Sequence, residues 1–300
     1  MIYNKNNSFL YYNEPKYLIH DYYYSIVNLI IKILESNNLN INITLCHNYN
    51  FNNNNKTIKI DINYEHTLVK KGGRDIPFGT PCGNVKDNND LYLVRICNYD
   101  ILNTADIIID YSNPNIYNVS TCLLYSEFSK KHIYISPSIY DIYIVKENRN
   151  ITSLTSFINT NESRRKLLLN NMIENKIMHT NINNCFDKNK LQSILKNTKI
   201  IINIHQTPHH DSFEELRVLP ALECGVIVIS EKSPLSELIP YNDLIIWVNY
   251  DDIINKLKEV INNYHYFNDK IFSLENRNIL SNLQKYNYNI LNNKINNIIQ

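Results

Sequence analysis

The sequence predicts a mixed α/β protein with two domains, and three observations lead to this prediction. Short runs of β-branched apolar residues alternate with segments that have helical apolar spacing. In the second half, buried strands follow one another at intervals of roughly 20 residues, which is typical of βαβ units. A polar stretch at residues 147–150 separates the two halves. We therefore place one domain at residues 1–147 and the other at 148–300.

The first half alternates between helix and strand patterns. Residues 21–36 carry apolar side chains at helical spacing and predict a helix. Four consecutive asparagines at 52–55 predict a surface loop between two strands. Runs of β-branched residues predict strands at 41–46, 57–62, 91–96, 107–110 and 132–136.

Glycine is concentrated in one segment of the first half. The chain has five glycines, and four of them lie between residues 72 and 83. Residues 70–81 are therefore expected to form neither a helix nor a central strand. Two readings stay open: a long surface connection, or a loop whose backbone approaches a ligand. In the second reading the acceptor-side residues are Gly72, Gly73, Arg74 and Asp75.

The second half repeats the α/β pattern more regularly. We predict strands at 151–157, 199–204, 226–230 and 244–248, and helices at 162–174, 187–197, 251–263 and 271–299. Thr160 or Asn161 is the expected N-cap of the first of these helices, and Asp187 stands near the start of the second. The last helix has the length to reach back and brace the first domain.

Composition and charge exclude several classes of protein. The formal net charge is +1, which disfavours a strongly basic nucleic-acid binder. No apolar run is long enough to span a membrane, and no signal peptide is visible. The six cysteines form no CxxC pair and are expected to be reduced. We therefore expect a cytoplasmic protein. The excess of asparagine, isoleucine, lysine and tyrosine indicates AT-rich coding, so single asparagines are weak functional evidence.

Residues 201–230 carry the chemistry. A strand ends in a histidine-rich loop, a helix with acidic residues follows, and Gly225 ends that helix before another buried strand. Glu215 and Glu223 are eight residues apart, which is about 12 Å along a helix. That separation is too long for an acid/base pair on one bond. It suits two contacts with an extended ligand.

The pattern of Glu215, seven residues, Glu223 and then Gly225 resembles the E-x7-E motif of GT-B glycosyltransferases, in particular the "glycosyl transferases group 1"-like proteins of bacteria and viruses. The resemblance covers residues 150–252 and implies two Rossmann-like domains that face a cleft. It implies that Glu223 binds the ribose of a nucleotide-sugar and that Glu215 lies near the sugar or its phosphates. It further implies donor contacts from Arg164, Arg165, Arg217, His205, Thr207 and His209.

The sequence departs from this family at one position of the motif. Family members commonly carry Gly-Phe-Gly after the first glutamate, whereas Leu216, Arg217 and Val218 follow here. The contact with the donor sugar and a retaining mechanism are therefore open. A shift in register would make Glu214 the functional carboxylate.

Glycosyl transfer in such a site needs no metal, because arginines and helix N-termini can stabilise the leaving diphosphate. The histidines near 205–210 lack the spacing of a zinc motif, so no metal or other cofactor is expected. A general base for the acceptor hydroxyl would come from Glu65, His66 or Asp75.

The sequence thus predicts a metal-independent glycosyltransferase of giant-virus type that acts in the host cytoplasm. Its partners would be a nucleotide-sugar donor and a glycan, protein or small-molecule acceptor. Two alternatives remain: a non-catalytic GT-B-like protein that binds a nucleotide or glycan, and a nucleotide-sugar epimerase on the same fold. Fold alone does not decide among them.

Overall fold

The structure is a computed structural model. It describes residues 1–15, 20–64, 68–70, 80–87, 90–96, 99–120, 128–145, 147–157, 160–183, 185, 187–205 and 213–300. The chain divides into two compact units. Unit 1 comprises Met1–Pro137 and Leu283–Gln300, and unit 2 comprises Ser138–Asn282.

The units divide ten residues before the boundary expected at 147. The difference arises because residues 138–145 are bound within unit 2: the Glu223 carboxylate accepts hydrogen bonds from the backbone N–H groups of Ile139 and Tyr140. The backbone N–H of Tyr143 donates to the Glu223 carbonyl at 2.7 Å. The chain also returns to unit 1 at its C-terminus, from Leu283 onward.

Unit 1 contains nine strands and three helices among its described residues, in addition to the end of the last helix of the chain. The strands are β1 Ile2–Lys5, β2 Ser8–Tyr11, β3 Ile41–Leu45, β4 Lys56–Asn63, β5 Leu68–Lys70, β6 Thr80–Asp87, β7 Asp90–Ile96, β8 Ile107–Asp110 and β9 His132–Tyr134. The helices are α1 His20–Ser36, α2 Tyr99–Asn103 and α3 Asn113–Ser120.

Six of these strands form the main sheet of unit 1, in the order β1-β2-β3-β4-β8-β9. Strands β1 and β2 form an antiparallel hairpin, and all other neighbours are parallel. Helix α1 connects β2 to β3 and buries Ile26, Ile30 and Ile33 completely. The apolar spacing at positions 26, 30 and 33 therefore predicted the buried face of this helix correctly.

The antiparallel sheet β5-β7-β6 corrects the expectation for residues 91–96. The strand was expected as part of a parallel alternation, but β7 is the central strand of this separate sheet and pairs antiparallel with both neighbours. The register shifts between Pro81 and Gly83 in the outer strand β6. Proline lacks an N–H to donate, so an outer strand with an irregularity tolerates it. Residues 71–79 lie outside the described part of the chain.

Unit 2 is built on one parallel sheet with the order β11-β10-β12-β13-β14. Its strands are β10 Ile151–Thr155, β11 His179–Asn181, β12 Thr198–Asn203, β13 Ile227–Glu231 and β14 Ile245–Val248. The connecting helices are α4 Ser163–Glu174, α5 Lys188–Lys196 and α6 Glu215–Glu223. The final helices are α7 Ile253–Asn262, α8 Tyr264–Ile271 and α9 Leu274–Ile299, which ends in unit 1.

Two expected helix starts have different outcomes. The Asp187 side chain accepts a hydrogen bond from the Lys190 N–H at 2.7 Å, so Asp187 is the N-cap of α5. The expected N-cap of α4, Thr160 or Asn161, is wrong, because Glu162 holds that position and makes no side-chain cap bond. Helix α4 therefore starts with backbone N–H groups that its own cap side chain does not satisfy.

The amino edge of the unit 2 sheet is held by a buried arginine. The Arg149 guanidinium donates to the carbonyls of Leu195, Thr198 and Cys224, at 3.2, 2.6 and 2.7 Å. Leu195 and Cys224 lie at the C-terminal ends of α5 and α6, where carbonyls lack helical partners. Burial lowers the pKa of Arg149.

Candidate functional site

The carboxyl edge of the unit 2 sheet is the place where ligands bind in open α/β sheets, because loops and helix N-termini meet there. In this chain, β10 leads towards the start of α4, and β12 leads through residues 204–214 to the start of α6. Both helix N-termini therefore lie at this edge. Their backbone N–H groups favour a negatively charged group.

Arg164, in the first turn of α4, is bound at this edge by two partners. Its guanidinium pairs with the carboxylate of Glu231, the last residue of β13, and both side chains are less than one-sixth exposed. The guanidinium also lies 4.2 Å from the ring centre of Tyr250. The Tyr250 hydroxyl donates to the Arg164 carbonyl at 2.6 Å, and burial raises the pKa of that hydroxyl. Arg164 is thus oriented before any ligand arrives.

The second oxygen of Glu231 accepts a hydrogen bond from the backbone N–H of His205 at 3.0 Å. The His205 imidazole Nε2 lies 3.0 Å from the Lys232 carbonyl, and His205 is 3% exposed. Glu231 therefore connects the first turn of α4 to the chain that leaves β12. The imidazole is directed at the Lys232 carbonyl directly after β13, so His205 is bound at this edge through both its backbone and its ring.

Arg217 reaches the same edge from α6. Its Nη1 donates to the Asn203 Oδ1 at 2.8 Å, and the Asn203 Nδ2 donates to the Ser230 Oγ at 3.0 Å. Asn203 ends β12, and Ser230 precedes Glu231 on β13. Arg164 and Arg217 thus belong to adjoining hydrogen-bonded groups at the ends of two neighbouring strands.

Two further residues expected in the site are buried beneath this edge. Glu215, the first residue of α6, has no exposed surface, and its Oε2 accepts a hydrogen bond from the Tyr241 hydroxyl at 2.8 Å. A carboxylate in a first turn is favoured by the helix dipole. Arg165 is 5% exposed, and its guanidinium lies 5.0 Å from the ring centre of Phe157. Arg164 and Arg217 are the more accessible pair.

Glu223 lies at the opposite edge of the sheet. It is the last residue of α6, which runs from the carboxyl end of β12 back to the amino end of β13. Its Oε2 accepts the N–H groups of Ile139 and Tyr140 at 2.9 and 2.8 Å, and its Oε1 accepts the Ser138 hydroxyl. The side chain is 1% exposed. The structure therefore does not bring Glu223 together with Glu215, Arg164 or Arg217.

In unit 1 the described polar cluster surrounds Asp110 at the end of β8. Its Oδ2 accepts from the Asn63 amide at 2.6 Å and lies 3.2 Å from the His132 Nε2. Its Oδ1 accepts from the Ser112 N–H and the Asn115 amide, both at 3.0 Å. Asp110 has no exposed surface, so this cluster fixes the turn into α3 and offers no accessible carboxylate.

Several expected site residues lie outside the described residues. These are Glu65, His66, Gly72, Gly73, Arg74, Asp75, Thr207 and His209. Within the described part of the chain, no group of three or more histidine, cysteine, aspartate or glutamate side chains is arranged to hold a metal ion. The same part contains no helix long and apolar enough to cross a membrane.

Sequence reasoning missed three contributors to the carboxyl edge: Glu231, Asn203 and Tyr250. A signal for Glu231 and Asn203 was present, because each is a polar residue directly at the carboxyl end of an apolar strand. Tyr250 could not be distinguished among 23 tyrosines.

Comparison with known proteins identifies a relative by sequence and a solved structure with a similar fold. No protein-family model matches the chain. The chain is 30% identical over 169 residues to the uncharacterized protein R358 of Acanthamoeba polyphaga mimivirus. The matched region covers 55% of this chain and 56% of that protein. A viral relative therefore exists. The chain spans about half the length of this curated relative.

Among solved structures, TarM, a GT-B glycosyltransferase, superposes with a TM-score of 0.51 and 12% sequence identity, covering 85% of this chain and 54% of TarM. A second match, to accessory secretory protein 1, 2 and 3 of Streptococcus pneumoniae, has a TM-score of 0.34 and 11% identity, and it covers 91% of this chain and 58% of that chain. At that TM-score the second match carries no argument. The match to TarM shows that this chain has a GT-B-like fold.

Proposed function

We propose that this protein is a glycosyltransferase that binds a nucleotide-sugar at the carboxyl edge of the unit 2 sheet and transfers the sugar to an acceptor without a metal ion. The observation that carries the proposal is the pair of oriented arginines, Arg164 and Arg217, in the first turns of two helices at that edge. The GT-B-like fold supports the proposal at the level of architecture.

The chemistry of these residues suits a leaving diphosphate. Negative charge develops on the diphosphate as the glycosidic bond breaks, and preoriented cations stabilise it without reorganisation. Arg164 is held by Glu231 and Tyr250, and Arg217 is held by Asn203. The N-termini of α4 and α6 add the positive ends of two helix dipoles. These groups together replace the charge that a divalent cation would supply.

Glu215 acts from beneath this edge in the proposed site. The Tyr241 hydroxyl holds one carboxylate oxygen, and Glu215 lies in the same first turn of α6 as Arg217. We assign Glu215 to positioning of the donor end of α6. Glu223 is omitted from the donor site because its carboxylate binds residues 138–140 at the other edge.

The acceptor side is proposed to be unit 1. The general base for the acceptor hydroxyl would be Glu65, His66 or Asp75, and the glycine-rich segment with Gly72, Gly73 and Arg74 would contact the acceptor. Thr207 and His209, in the loop before α6, would contact the donor. These assignments rest on the sequence pattern.

The test is thermal unfolding with a panel of nucleoside diphosphates and nucleotide-sugars, each with and without EDTA. A ligand at 100 times its Kd should stabilise the folded state by about 2.7 kcal/mol, which is a readily measured rise in Tm. We expect one nucleoside diphosphate to raise Tm equally with and without EDTA. Arg164→Gln and Arg217→Gln should each reduce that rise, whereas Lys270→Gln, an exposed change on α8, should leave it unchanged.

Turnover is measured with the same panel of nucleotide-sugars. Release of the nucleoside diphosphate that depends on an added acceptor would support the proposal. Binding without turnover would favour a non-catalytic binding protein, and an isomerised sugar formed without acceptor would favour an epimerase. If no nucleotide raises Tm, the proposed donor site is wrong.

A further inference from the structure

Glu231 places a negative charge at an edge that is proposed to bind a negatively charged group. It ends β13, and its carboxylate pairs with the Arg164 guanidinium. Its Oε2 accepts a hydrogen bond from the His205 backbone N–H at 3.0 Å. Carboxylate and phosphate oxygens both accept hydrogen bonds from arginine. A diphosphate at this edge therefore has to share Arg164 with Glu231 or displace Glu231 from it.

The Glu231 carboxylate has acceptor capacity left for a ligand. An ionised carboxylate offers about four lone-pair positions on its two oxygens. Among the described residues the carboxylate has two partners, Arg164 and His205. The side chain is 13% exposed, so part of it reaches the surface at this edge. A ligand held by Arg164 therefore meets a carboxylate that can accept further hydrogen bonds.

A carboxylate in this place favours one kind of chemical group and disfavours another. Phosphate oxygens without a proton accept hydrogen bonds and donate none, as an ionised carboxylate does. The two groups repel each other at short range, and the repulsion is stronger at a partly buried edge than in water. A hydroxyl group donates to a carboxylate instead, in a charge-assisted hydrogen bond. Glu231 can thus distinguish a bare phosphate end from a hydroxylated group next to a phosphate.

Arg164 has a second support that does not depend on Glu231. Its guanidinium lies 4.2 Å from the ring centre of Tyr250, within the range of a cation–π contact. The Tyr250 hydroxyl donates to the Arg164 carbonyl at 2.6 Å. Loss of the Glu231 charge should therefore leave Arg164 largely oriented and free its N–H groups for phosphate.

We propose that Glu231 determines the specificity of the donor site, because its carboxylate accepts a hydrogen bond from a hydroxyl group of the ligand and disfavours bare pyrophosphate. This role rests on the proposed function, in which the diphosphate binds at the carboxyl edge of unit 2. The hydroxyl belongs either to the ribose of the nucleotide or to the sugar that is transferred.

The test is isothermal titration calorimetry of the full chain with pyrophosphate, with UDP, GDP and ADP, and with UDP-glucose, GDP-mannose and ADP-glucose. Glu231→Gln removes the charge at nearly constant size. We expect this variant to bind pyrophosphate more tightly than the unaltered chain does. Its preference for the hydroxylated ligand over pyrophosphate should fall by about tenfold or more, a change equal to 1.4 kcal/mol.

The two sources of the hydroxyl give different results, and either result supports the proposal. If the ribose supplies it, the preference already falls when the nucleoside diphosphate is compared with pyrophosphate. If the transferred sugar supplies it, the variant binds the nucleoside diphosphate more tightly, as it binds pyrophosphate, and only the nucleotide-sugar loses relative affinity.

Three further variants make the test specific. Glu174→Gln removes the same charge from the exposed end of α4, about 15 Å along the helix from Arg164, and should change each Kd by less than about twofold. Glu231→Asp keeps the charge and should disfavour pyrophosphate as the unaltered chain does. Glu231→Ala removes the charge as well and replaces Glu231→Gln in the test if the glutamine variant does not fold.

The outcomes separate the role of Glu231 from the proposed function. A purely structural role predicts that Glu231→Gln weakens every ligand by the same factor, and this result overturns the proposal. An unchanged preference between pyrophosphate and the hydroxylated ligands also overturns it, while the proposed donor site stands. If none of these ligands binds the unaltered chain, the proposed function is wrong and the role of Glu231 falls with it.

Discussion

Gly225 adopts a backbone conformation that other residues rarely adopt, with φ of +71° directly after α6. A Cβ at this position would lie 2.7 Å from the Arg149 Nη2 and 2.9 Å from the Tyr143 carbonyl oxygen. Gly225→Ala should therefore destabilise the fold by about 2 to 5 kcal/mol, from the left-handed backbone and the overpacking together. Urea unfolding measures the loss.

Lys176 is the matched control for Gly225→Ala. It also follows a helix, α4, in a left-handed conformation with φ of 54°. Lys176→Gly relieves that backbone but adds chain entropy to the unfolded state, so stability should change by less than about 1 kcal/mol. Similar losses for both substitutions would show that the close approach at Gly225 has no energetic effect.

A substitution of Glu223 distinguishes the role that the motif resemblance implies from the role that the structure shows. The resemblance to GT-B enzymes gives it the donor ribose, whereas the structure gives it Ser138, Ile139 and Tyr140. Glu223→Gln replaces a charged acceptor with a neutral group and should reduce stability by about 1.5–3 kcal/mol. The nucleotide Kd at a temperature where the variant is folded should stay within about twofold, a change well below 1.4 kcal/mol. A large rise in Kd with unchanged stability would restore the ribose role.

The buried carboxyl of Asp61 on β4 predicts a pH dependence of stability. Burial raises the pKa of Asp61 to about 6, and nearby Lys59, at 3.6 Å, lowers it in part. The charged form is disfavoured in the folded state, so the penalty is absent below the unfolded pKa near 3.8 and is complete above about pH 6.

Asp61→Asn should consequently be more stable than the unaltered chain at neutral pH, by up to about 3 kcal/mol for two pKa units. The substitution also removes the Asp61 carboxylate that pairs with Lys59, and this loss reduces the gain in stability. The difference should vanish only as the pH falls well below the unfolded pKa near 3.8, because the Asp61 carboxyl is then neutral in both the folded and the unfolded state. Asp100→Asn, an exposed change on α2, should show no such profile. Urea midpoints across this range test the sign, and a variant that is less stable at every pH contradicts it.

The sequence was sufficient to predict that Glu223 lies at the amino edge of the sheet, although the resemblance to the E-x7-E motif suggested a donor-binding position. Gly225 ends the helix, and an apolar strand follows at once, so a residue two positions before Gly225 must lie at the amino edge of the next parallel strand. Glu215 follows the polar loop after β12 and must lie near the carboxyl edge. The direction of the chain therefore predicts the positions of Glu215 and Glu223 better than the spacing between them does.

At the level of elements, the parallel sheet of unit 2 was the most predictable part of the fold. Its strands β12 and β13 contain uninterrupted runs of isoleucine and valine, at residues 200–202 and 227–229, because both faces of a parallel sheet are covered. Strand β11 was missed since it has three residues, none of them fully buried. The hairpin β1–β2 was missed for a similar reason, since all of β1 is partly or fully exposed.

The connection from β3 to β4 contains the surface loop that the four asparagines at 52–55 predicted. These strands are parallel, yet residues 46–55 join them without a helix. Tyr49 stacks on Tyr11 with ring centres 4.2 Å apart, and Phe51 lies 4.9 Å from Tyr49. The aromatic contacts stabilise this loop against β2, so some of the abundant tyrosine packs locally instead of reflecting codon bias alone.

Asn287 makes buried hydrogen bonds between helix α9 and the rest of unit 1, in addition to more exposed ones that involve Asn37, Lys56 and Lys294. The Asn287 Oδ1 accepts the N–H and the hydroxyl of Ser136, at 2.9 and 3.1 Å, and its Nδ2 donates to the Ser136 carbonyl at 3.0 Å. Both residues are at least nine-tenths buried. Asn287→Ala should leave buried backbone groups of Ser136 unsatisfied and cost about 2–4 kcal/mol.

Asn289→Ala, an exposed amide deletion on the same helix, should leave stability nearly unchanged. Amide hydrogen exchange of α9 distinguishes local from global effects, because a lost attachment should increase exchange in residues 283–299 first. Equal protection of α9 in both variants would show that Asn287 does not fix this helix.

For the binding of anions by the whole molecule, the positions of the charged groups matter more than the net charge. With a net charge of +1, the chain has little overall attraction for anions. Any affinity for a nucleoside diphosphate must therefore come from local groups, and Arg164 and Arg217 at the carboxyl edge of unit 2 are the oriented ones among the described residues. The same balance argues against binding of nucleic acid by general electrostatic attraction.

This reasoning predicts how diphosphate binding depends on salt and on position. Arg164→Gln and Arg217→Gln should each raise the Kd by about tenfold or more, the effect of one charge-assisted hydrogen bond. Lys270→Gln removes the same unit of charge from an exposed site and should change the Kd by less than about twofold. Raising the ionic strength from about 0.05 to 0.15 M should weaken binding only a few fold, because the contacts are shorter than the Debye length. If all three substitutions weaken binding equally, net charge and not the arginine pair determines affinity, and the donor site must be sought elsewhere.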